Sequence, residues 1–556
     1  MALLAWCLPS SAQFYLDGDD PGSLKWDQKI TSNYRLIYPK AIGDSLPSLY
    51  SSLLEKYRPV VGKSVGMQPC SLQWGRLPVI LHPYAINPNG LVVWAPKRMA
   101  LYTVQESTPD SAMPGATELA IHESRHVAQM QFAYRGAFKW LHYVLGEMWA
   151  GAVDGIYPDP VLLEGDAVVA ETALSAAGRG RSAEFLEYYQ YALAHGDYRN
   201  FWRWRYGSFR HYTPDHYRAG YLMVGGVRGY YNDPLFTKRY FDNVVRHPLR
   251  IGNFQRTIKE ASGMKLKPTF RSILDSLGTE WAANFKEREP FMPMEQITPD
   301  KKFYNAYDRF TAVGDKIYSL QSGKDRATSL VEIDALGKVR RLGPFGSNSG
   351  VLVHDSNLDR LYWREAMPDP RWSLAGKSII RYIDLKTGRR HDLTKDGRFF
   401  NPVPTSDGQT VYVVEFPPEG GSNIVGLSAK DGSRLSSIPS PSGITFTEFT
   451  IYNDVFYALG VADGGCGVWH YEGGQWKEDI APVPARMFFL WSYRDRLLFV
   501  SDLDGVNELY AWYPASGKAE RLTSTPFGSS DHTIMGDEFI YSSIAEGGRM
   551  IFRTKI

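Results

Sequence analysis

A short apolar strand with a central aromatic residue recurs along the second half of the chain and constrains its fold more than any other feature. It appears in stretches such as K-I-Y-S-L, R-L-Y-W-R and F-I-Y-S-S. The aromatic residues are Tyr318, Tyr362, Tyr412, Tyr457, Phe499 and Tyr541, separated by 44, 50, 45, 42 and 42 residues. A period of about 40 to 50 residues with several strands per repeat is typical of a β-propeller. An irregular β-sandwich does not explain the even spacing, so the six copies predict a six-bladed propeller over residues 291–556.

The last repeat is too short to supply four strands, and the sequence offers a replacement for the missing one. Two repeats end in H-D-L-T and E-R-L-T, and the similar text E-Q-I-T occurs just before the first repeat. The segment Met294–Pro299 is therefore predicted to close the ring as the outer strand of the last blade. The L-T endings and the S-D-G turn at Ser406–Gly408 resemble those of TolB-like propellers. This resemblance implies a fold, and with it a surface for a protein partner, but no specific activity.

The first half of the chain has a different character, with strands followed by helices. The pattern predicts strands at Tyr34–Pro39 and Leu77–His82, and helices at Glu118–Tyr134, Leu162–Ala177, Ala183–His195 and Tyr217–Tyr230. Strands first and helices later indicate an α+β domain, here over residues 13–290. The chain is thus predicted to be multidomain, with an α+β domain followed by an all-β propeller.

Charge and hydropathy restrict the partners and the location of the protein. The net charge is +2, and this nearly neutral overall balance provides no electrostatic footprint for nucleic acid or anionic lipid. No stretch approaches the ~18 apolar residues of a transmembrane span. Residues 1–12 have an apolar run, Ala2–Leu8, and then small residues before Gln13, as in a signal peptide. We therefore expect an exported protein, periplasmic or extracellular, although a buried N-terminal strand would fit the same residues.

The most informative motif in the first half is H-E-S-R-H at His122–His126. On a helix, residues four apart share a face, so His122 and His126 can offer two imidazole nitrogens to one zinc ion. Glu123 lies beside such a site and can take a proton from water. The alternative is a pair of surface histidines with an ion-paired glutamate, but the motif has apolar neighbours suited to a buried helix.

A third metal ligand is expected because catalytic zinc commonly has three protein ligands. The text L-L-E-G-D-A follows at Leu162–Ala167. H-E-x-x-H followed by E-G-x-A is similar to the gluzincin metallopeptidases, including the peptidase-MA-like group. The resemblance implies a zincin-like fold and Glu164 as the third zinc ligand, with Glu171 as the competing residue. Asp166 and Glu171 are also candidates to accept a hydrogen bond from a zinc-bound histidine; otherwise Asp166 would cap a helix and Glu171 would be solvated or ion-paired.

The same resemblance points to a donor for the oxyanion that forms during hydrolysis. The text Y-R-A-G-Y, which begins at Tyr217, is similar to the Y-x-x-G element of aminopeptidase N-like gluzincins. It implies Tyr217 as the donor; Tyr221, His211 and His216 are the alternatives, and simple packing is a further one.

One element of aminopeptidase N-like enzymes, G-x-M-E-N, is absent from the sequence. Its glutamate holds the free amine of the substrate, so its loss favours an endopeptidase. The comparable position holds N-G-L-V-V-W-A-P-K-R-M at Asn89–Met99, predicted as an edge strand that can pair with an extended peptide.

The sequence therefore predicts an exported zinc metallopeptidase that hydrolyses peptides or proteins. Glu123 and Tyr217 would be catalytic, and His122, His126 and Glu164 would bind Zn²⁺. Two alternatives remain open: a propeller adaptor whose zinc site no longer cuts, and hydrolysis of a non-peptide amide.

Overall fold

The computed structural model describes residues 18–67, 75–105, 111–208, 211–346 and 350–555. They form an N-terminal α+β domain followed by a β-propeller. The predicted signal peptide at residues 1–12 lies outside the described residues. Among the described residues, no helix combines the length and the apolarity needed to cross a membrane.

The N-terminal domain contains one five-stranded mixed sheet. Its strands are β1 (Trp26–Ile30), β2 (Tyr34–Pro39), β3 (Leu77–His82), β4 (Asn89–Trp94) and β5 (Lys97–Tyr102). The order is β1-β2-β3-β5-β4, with β2, β3 and β5 parallel and β1 and β4 antiparallel to their neighbours. The stretch Asn89–Met99, predicted as a single edge strand, is a hairpin because the chain turns at Ala95 and Pro96. Its first strand, β4, forms the edge of the sheet.

Helices make up most of the remaining N-terminal domain. They are α1 (Ser45–Val65), α2 (Gly115–Gln129), α3 (Gly136–Leu145), α4 (Glu147–Ile156), α5 (Pro160–Leu174), α6 (Ala183–Ala194), α7 (Phe201–Tyr206), α8 (His216–Tyr230), α9 (Phe236–Arg246), α10 (Asn253–Ser262) and α11 (Leu266–Glu287). α2 packs against α1 and α5, and α5 packs along α8. The four helices predicted from the sequence correspond to α2, α5, α6 and α8.

The propeller consists of short antiparallel strands with the repeated aromatic residues on the second strand of each set. The strands are β6 (Glu295–Gln296), β7 (Asn305–Val313), β8 (Lys316–Gly323), β9 (Arg326–Ile333), β10 (Val339–Pro344), β11 (Val353–Asp355), β12 (Arg360–Met367), β13 (Lys377–Asp384), β14 (Arg390–Asp392), β15 (Phe399–Pro404), β16 (Thr410–Glu415), β17 (Asn423–Ser428), β18 (Arg434–Pro439), β19 (Thr445–Tyr452), β20 (Val455–Ala462), β21 (Gly465–Glu472), β22 (Gln475–Val483), β23 (Met487–Tyr493), β24 (Arg496–Ser501), β25 (Glu508–Tyr513), β26 (Lys518–Arg521), β27 (Ser530–Met535), β28 (Glu538–Ala545) and β29 (Gly548–Lys555).

The blade count differs from the prediction. Four blades are separate four-stranded sheets, β11–β14, β15–β18, β19–β22 and β23–β26, and the other strands form one eight-stranded sheet. The expectation of six separate blades is therefore wrong. The strands of the first and last repeats are joined into one sheet by a short parallel ladder. In this ladder Gly548 and Arg549 of β29 pair with Asn305 and Ala306 of β7. A side chain at position 548 would block this ladder, because its Cβ would lie 1.8 Å from the Asn305 carbonyl oxygen.

The predicted closing strand is confirmed. Within the eight-stranded sheet, β6 pairs antiparallel with β29, so that Gln296 lies opposite Phe552. The Ile297 N–H donates to the Ile551 carbonyl at 2.8 Å, and the Ile551 N–H donates to Thr298 Oγ1 at 3.0 Å. A strand that precedes every repeat thus covers the edge of the last one, which leaves fewer unpaired backbone groups at that edge.

The propeller packs closely against the N-terminal domain. Arg486 contacts Glu184 at 2.9 Å, and Arg549 contacts Glu187 at 2.6 Å. Apolar contacts reinforce these ion pairs, since Val104 belongs to the same buried cluster as Phe400 of the propeller. The propeller therefore covers the side of the N-terminal domain that carries the end of β5 and the start of α6.

The closing strand generates a stability prediction at Thr298, whose side chain is buried. Thr298→Val keeps the shape but removes the acceptor of the Ile551 N–H. A buried donor left without a partner costs about 1–3 kcal/mol. We expect the urea unfolding midpoint to fall in Thr298→Val and to stay near the wild-type value in Thr298→Ser, which keeps the hydroxyl. Equal midpoints for the two variants would contradict a stabilising role for this closure.

Candidate metal centre

The H-E-S-R-H motif lies on α2, a buried helix. The helix begins after Pro114, whose backbone is extended, and neighbours of the motif such as Ile121 are fully buried. The four-residue spacing puts His122 and His126 on one face. Their ring centroids lie 4.7 Å apart in an edge-to-face arrangement. The two imidazoles are therefore held side by side by the helix itself.

Glu164 reaches the histidines from α5. This helix begins at Pro160, and the Asp159 side chain accepts the Val161 N–H at 2.9 Å as its N-cap. The next residue, Gly165, lies against Gly220 of α8, where an added Cβ would come within 2.1 Å of the Gly220 backbone. The glycines of E-G-D-A and Y-R-A-G thus meet at one helix crossing, and this close packing fixes the position of Glu164.

Three ligand atoms converge between α2 and α5. His122 Nε2 lies 3.1 Å from His126 Nε2 and 3.1 Å from Glu164 Oε2. His126 Nε2 lies 3.2 Å from the same carboxylate oxygen. The three atoms therefore form a nearly equilateral triangle, and all three residues predicted as metal ligands meet in one place.

The second nitrogen of each imidazole has its own partner. His122 Nδ1 lies 2.5 Å from Glu171 Oε1, and Glu171 is completely buried. His126 Nδ1 lies 2.9 Å from Gln129 Oε1. Both partner atoms are acceptors, so each ring, when it binds a metal, would keep the proton on Nδ1 and offer the lone pair of Nε2 to the ion. Glu171, considered as a competing ligand, takes the orienting position instead.

Asp166 does not contact a histidine and does not cap a helix. It is fully buried, and its carboxylate accepts two hydrogen bonds from the Arg125 guanidinium, at 2.6 and 2.7 Å. It also accepts a hydrogen bond from Gln129 Nε2 at 2.8 Å. Asp166 therefore acts on His126 indirectly, since this bond turns the amide oxygen of Gln129 toward the imidazole. Both sequence interpretations of Asp166 are wrong, because its position on α5 faces Arg125.

Arg179 lines the pocket and contacts Glu171, the acid that orients His122. Its guanidinium contacts Glu171 at 2.5 Å and Glu118 at 3.3 Å, and it lies over the Tyr217 ring at 5.3 Å from the centroid. The sequence predicts no role for Gln129. The stretch G-R-G-R at Gly178–Arg181 suits Arg179 either to a carboxylate of the substrate or to a nearby acid. The structure pairs Arg179 with the two acids.

Glu123 lies beside the triangle and is not part of it. Its side chain is 2% exposed, and its Oε2 atom has no hydrogen-bond partner among the described residues. Gly90 of β4 permits this position, because a Cβ there would come within 2.4 Å of Glu123 Oε1. A pocket of about 140 Å³ opens here, lined by His122, Glu123, Arg179, Tyr217 and the Asn89–Gly90 edge of β4.

Tyr217 is the tyrosine that lines this pocket. Its ring stacks on the His122 imidazole with centroids 6.3 Å apart. Tyr221 packs edge-on against Phe185 at 5.6 Å. Tyr221, His211 and His216 are absent from the described lining of the pocket. The geometry therefore favours Tyr217 among the four candidate donors.

Burial and neighbouring charges shift the pKa values of the residues in this centre in different directions. Burial lowers the pKa of His122, but the hydrogen bonds that its ring makes to the Glu164 and Glu171 carboxylates raise it more, to about 10. Burial raises the pKa of Glu164, but His126 and His122 together outweigh this and hold that pKa far below its usual range. For Glu123, burial outweighs the two histidines and the pKa is raised. Glu123 is thus suited to take up and return a proton.

The donor set fits a zinc ion. Two imidazole nitrogens and one carboxylate oxygen make a known catalytic zinc set. Zinc–ligand distances of about 2.0–2.1 Å in a tetrahedron require ligand atoms about 3.3 Å apart. The observed separations of 3.1 to 3.2 Å are close to this value. The unpartnered Oε2 of Glu123 adds a buried acceptor next to the same point.

Comparisons with known proteins identify no family for this chain. No protein-family model matches the chain, and no curated protein matches its sequence. Among solved structures, the chain is similar to the β-propeller domain of the Trilobed protease from Pyrococcus furiosus, with 9% identity and a TM-score of 0.34, over 45% of this chain and 95% of that one. It is also similar to the tricorn protease, with 12% identity and a TM-score of 0.36, over 45% of this chain and 25% of that one.

A lyase shows the same degree of similarity. The oligogalacturonate lyase from Vibrio parahaemolyticus matches at 10% identity and a TM-score of 0.35, over 48% of this chain and 94% of that one. Similarities of this size, shared by proteases and a lyase, imply nothing about activity. The resemblance to gluzincins stays a prediction from the motifs.

The triangle generates a prediction about stoichiometry. The purified chain, loaded with zinc and dialysed, should retain one zinc per molecule. His126→Ala removes one corner of the triangle and should abolish tight binding, whereas His247→Ala, an exposed histidine on another surface, should not. Elemental analysis of the three proteins measures this. Full zinc occupancy in His126→Ala would place the metal elsewhere.

Proposed function

We propose that this protein is a zinc-dependent metallopeptidase that cleaves within peptide chains. The observation that supports this most directly is the triangle of His122, His126 and Glu164 with the unpartnered Glu123 carboxylate beside it. A purely structural metal site has no need of a further carboxylate beside its three ligands. When bound, zinc supplies Lewis acidity, which makes water more acidic and a carbonyl more electrophilic.

The side chains of the pocket transfer the proton and stabilise the developing negative charge. Glu123 takes a proton from the water that attacks the peptide carbonyl carbon. Tyr217 donates its hydroxyl proton in a hydrogen bond to the carbonyl oxygen as negative charge develops there. Glu123 then returns the proton to the amide nitrogen as the C–N bond breaks, so the carboxylate is regenerated.

The edge strand β4 is proposed to hold the substrate. It forms the outer edge of the sheet, and its Asn89–Gly90 end lines the pocket beside Glu123. An extended peptide that pairs with β4 would place its backbone across the pocket. Because a strand edge recognises backbone and not a chain end, this arrangement favours an endopeptidase. Export to the periplasm or the extracellular space, and a protein partner on the propeller, remain part of the proposal.

The proposed role of Glu123 separates chemistry from metal binding. Glu123→Gln should retain one zinc per chain and lower kcat on a cleaved peptide by about 10² or more, the scale of general-base catalysis. Glu287→Gln, an exposed change at the end of α11, is the matched control. The substrate is found by digesting a diverse peptide library and reading the products by mass spectrometry. A wild-type protein that binds zinc and cuts no peptide would favour the adaptor alternative or a non-peptide amide.

The proposed oxyanion donor has its own test. Tyr217→Phe removes one hydroxyl and should lower kcat by about 10 to 10³, with little change in KM, because the bond forms in the transition state. Tyr221→Phe removes a hydroxyl four residues away on the same helix and should leave kcat near the wild-type value. Equal losses in the two variants would assign Tyr217 a packing role.

A further inference from the structure

The hairpin of α3 and α4 and the connection between α9 and α10 expose several large apolar side chains. Trp140 and Val144 on α3 are 72% and 80% exposed, and Met148 on α4 is 71% exposed. Leu249 and Ile251 between α9 and α10 are 95% and 96% exposed. These five residues are called here the apolar patch. Exposed apolar groups of this size in one region mark an interaction surface.

Direct contacts join the segments that carry the patch. The Tyr157 hydroxyl, just after α4, donates to the Pro248 carbonyl at 2.6 Å. The Phe138 ring of α3 lies 5.3 Å from the Tyr157 ring. At the start of α3, Gly136 approaches Val245 so closely that an added Cβ would lie 2.9 Å from its Cγ1 atom. The helical hairpin and the Leu249–Ile251 tip therefore belong to one continuous surface.

The free charge around the patch is positive. Lys139, Arg246 and Arg250 lie within or beside it, and no ion pair of theirs is found among the described residues. The acidic side chains of the hairpin are hydrogen-bonded or partly buried. Glu147 accepts a hydrogen bond from the backbone N–H of Lys97 at 2.8 Å, and one carboxylate oxygen of Asp154 is buried.

We propose that the apolar patch docks this protein onto the surface of an anionic lipid bilayer. Leu249 and Ile251 are almost fully exposed, as side chains that protrude from a surface are, and such side chains enter a soft apolar phase without requiring a matching pocket. Trp140 has the amphipathic ring that favours the headgroup level. Lys139, Arg246 and Arg250 attract anionic headgroups. α3 and α4 have ten residues each, so they lie in the interface and do not span the membrane.

The proposal is independent of the zinc site, but it has a geometric consequence for it. α4 packs against β4 and the turn that follows it, where an added Cβ at Gly151 would lie 3.7 Å from the Ala95 side chain. The outer surface of the hairpin would then face the bilayer while its inner surface supports the strand that lines the metal centre.

The test uses the full-length protein and vesicle flotation. The vesicles are either pure phosphatidylcholine or phosphatidylcholine with roughly one third phosphatidylglycerol. We expect the wild type to float with the anionic vesicles. The double variant Leu249→Ser/Ile251→Ser should bind them at least about tenfold more weakly, since two apolar side chains no longer enter the bilayer. Leu336→Ser is the matched control, because Leu336 is 95% exposed on the propeller, away from the patch.

Two further measurements test the electrostatic contribution to vesicle binding and the alternative that the patch joins two copies of the chain. Arg246→Gln/Arg250→Gln should weaken binding to the anionic vesicles and reduce its salt dependence, because only Lys139 of the three cations remains. Failure of the wild type to float with either vesicle overturns the proposal, as does an equal loss in Leu336→Ser. Sedimentation velocity covers the remaining case: a wild-type dimer that the Leu249/Ile251 variant dissociates, without vesicle binding, would make the patch an interface between two copies.

Discussion

The close crossing of α5 and α8 is the contact on which the metal centre depends. Gly165 and Gly220 let the two helix backbones approach so closely that no side chain fits between them. The crossing places Glu164, one residue before Gly165, against the two histidines of α2. It also places Tyr217, one turn before Gly220, at the mouth of the pocket. Two glycines thus bring residues from three helices to one point, although neither glycine has a chemical role.

Buried hydrogen bonds to the Nδ1 atoms of His122 and His126 fix the orientation of the two rings. On one side, Glu171 accepts from His122 and is held in turn by Arg179. On the other side, Gln129 accepts from His126 and is held by Asp166, which pairs with Arg125. An unpaired charge at these depths would be costly, so each member keeps its neighbour in a fixed geometry. These contacts therefore hold the ligand atoms in place, which is how a preorganised site is built.

Residues that act through local spacing were predictable from the sequence, and residues that act across the fold were not. The four-residue interval of His122 and His126 is set by the helix, and the E-G pair marks Glu164 by resemblance. The closing strand at Met294–Pro299 was recognisable because its text repeats at the blade ends. The pairing of Asp166 with Arg125 depends on how α5 is rotated against α2, which no local pattern encodes. The same holds for the ladder between β7 and β29, which depends on a register of two residues.

The closing strand also limits how the two domains can move. Only residues 288–294 separate the end of α11 from β6. Even these are tied down, since the Arg288 guanidinium donates to the Thr525 and Pro526 carbonyls and the Met292 N–H donates to the Ser524 carbonyl. The connection between the domains is therefore a structural part of the propeller and not a flexible linker. A hinge motion at this connection would have to break these contacts of Arg288 and Met292, so access to the pocket is expected to depend on local side-chain movement and not on domain opening.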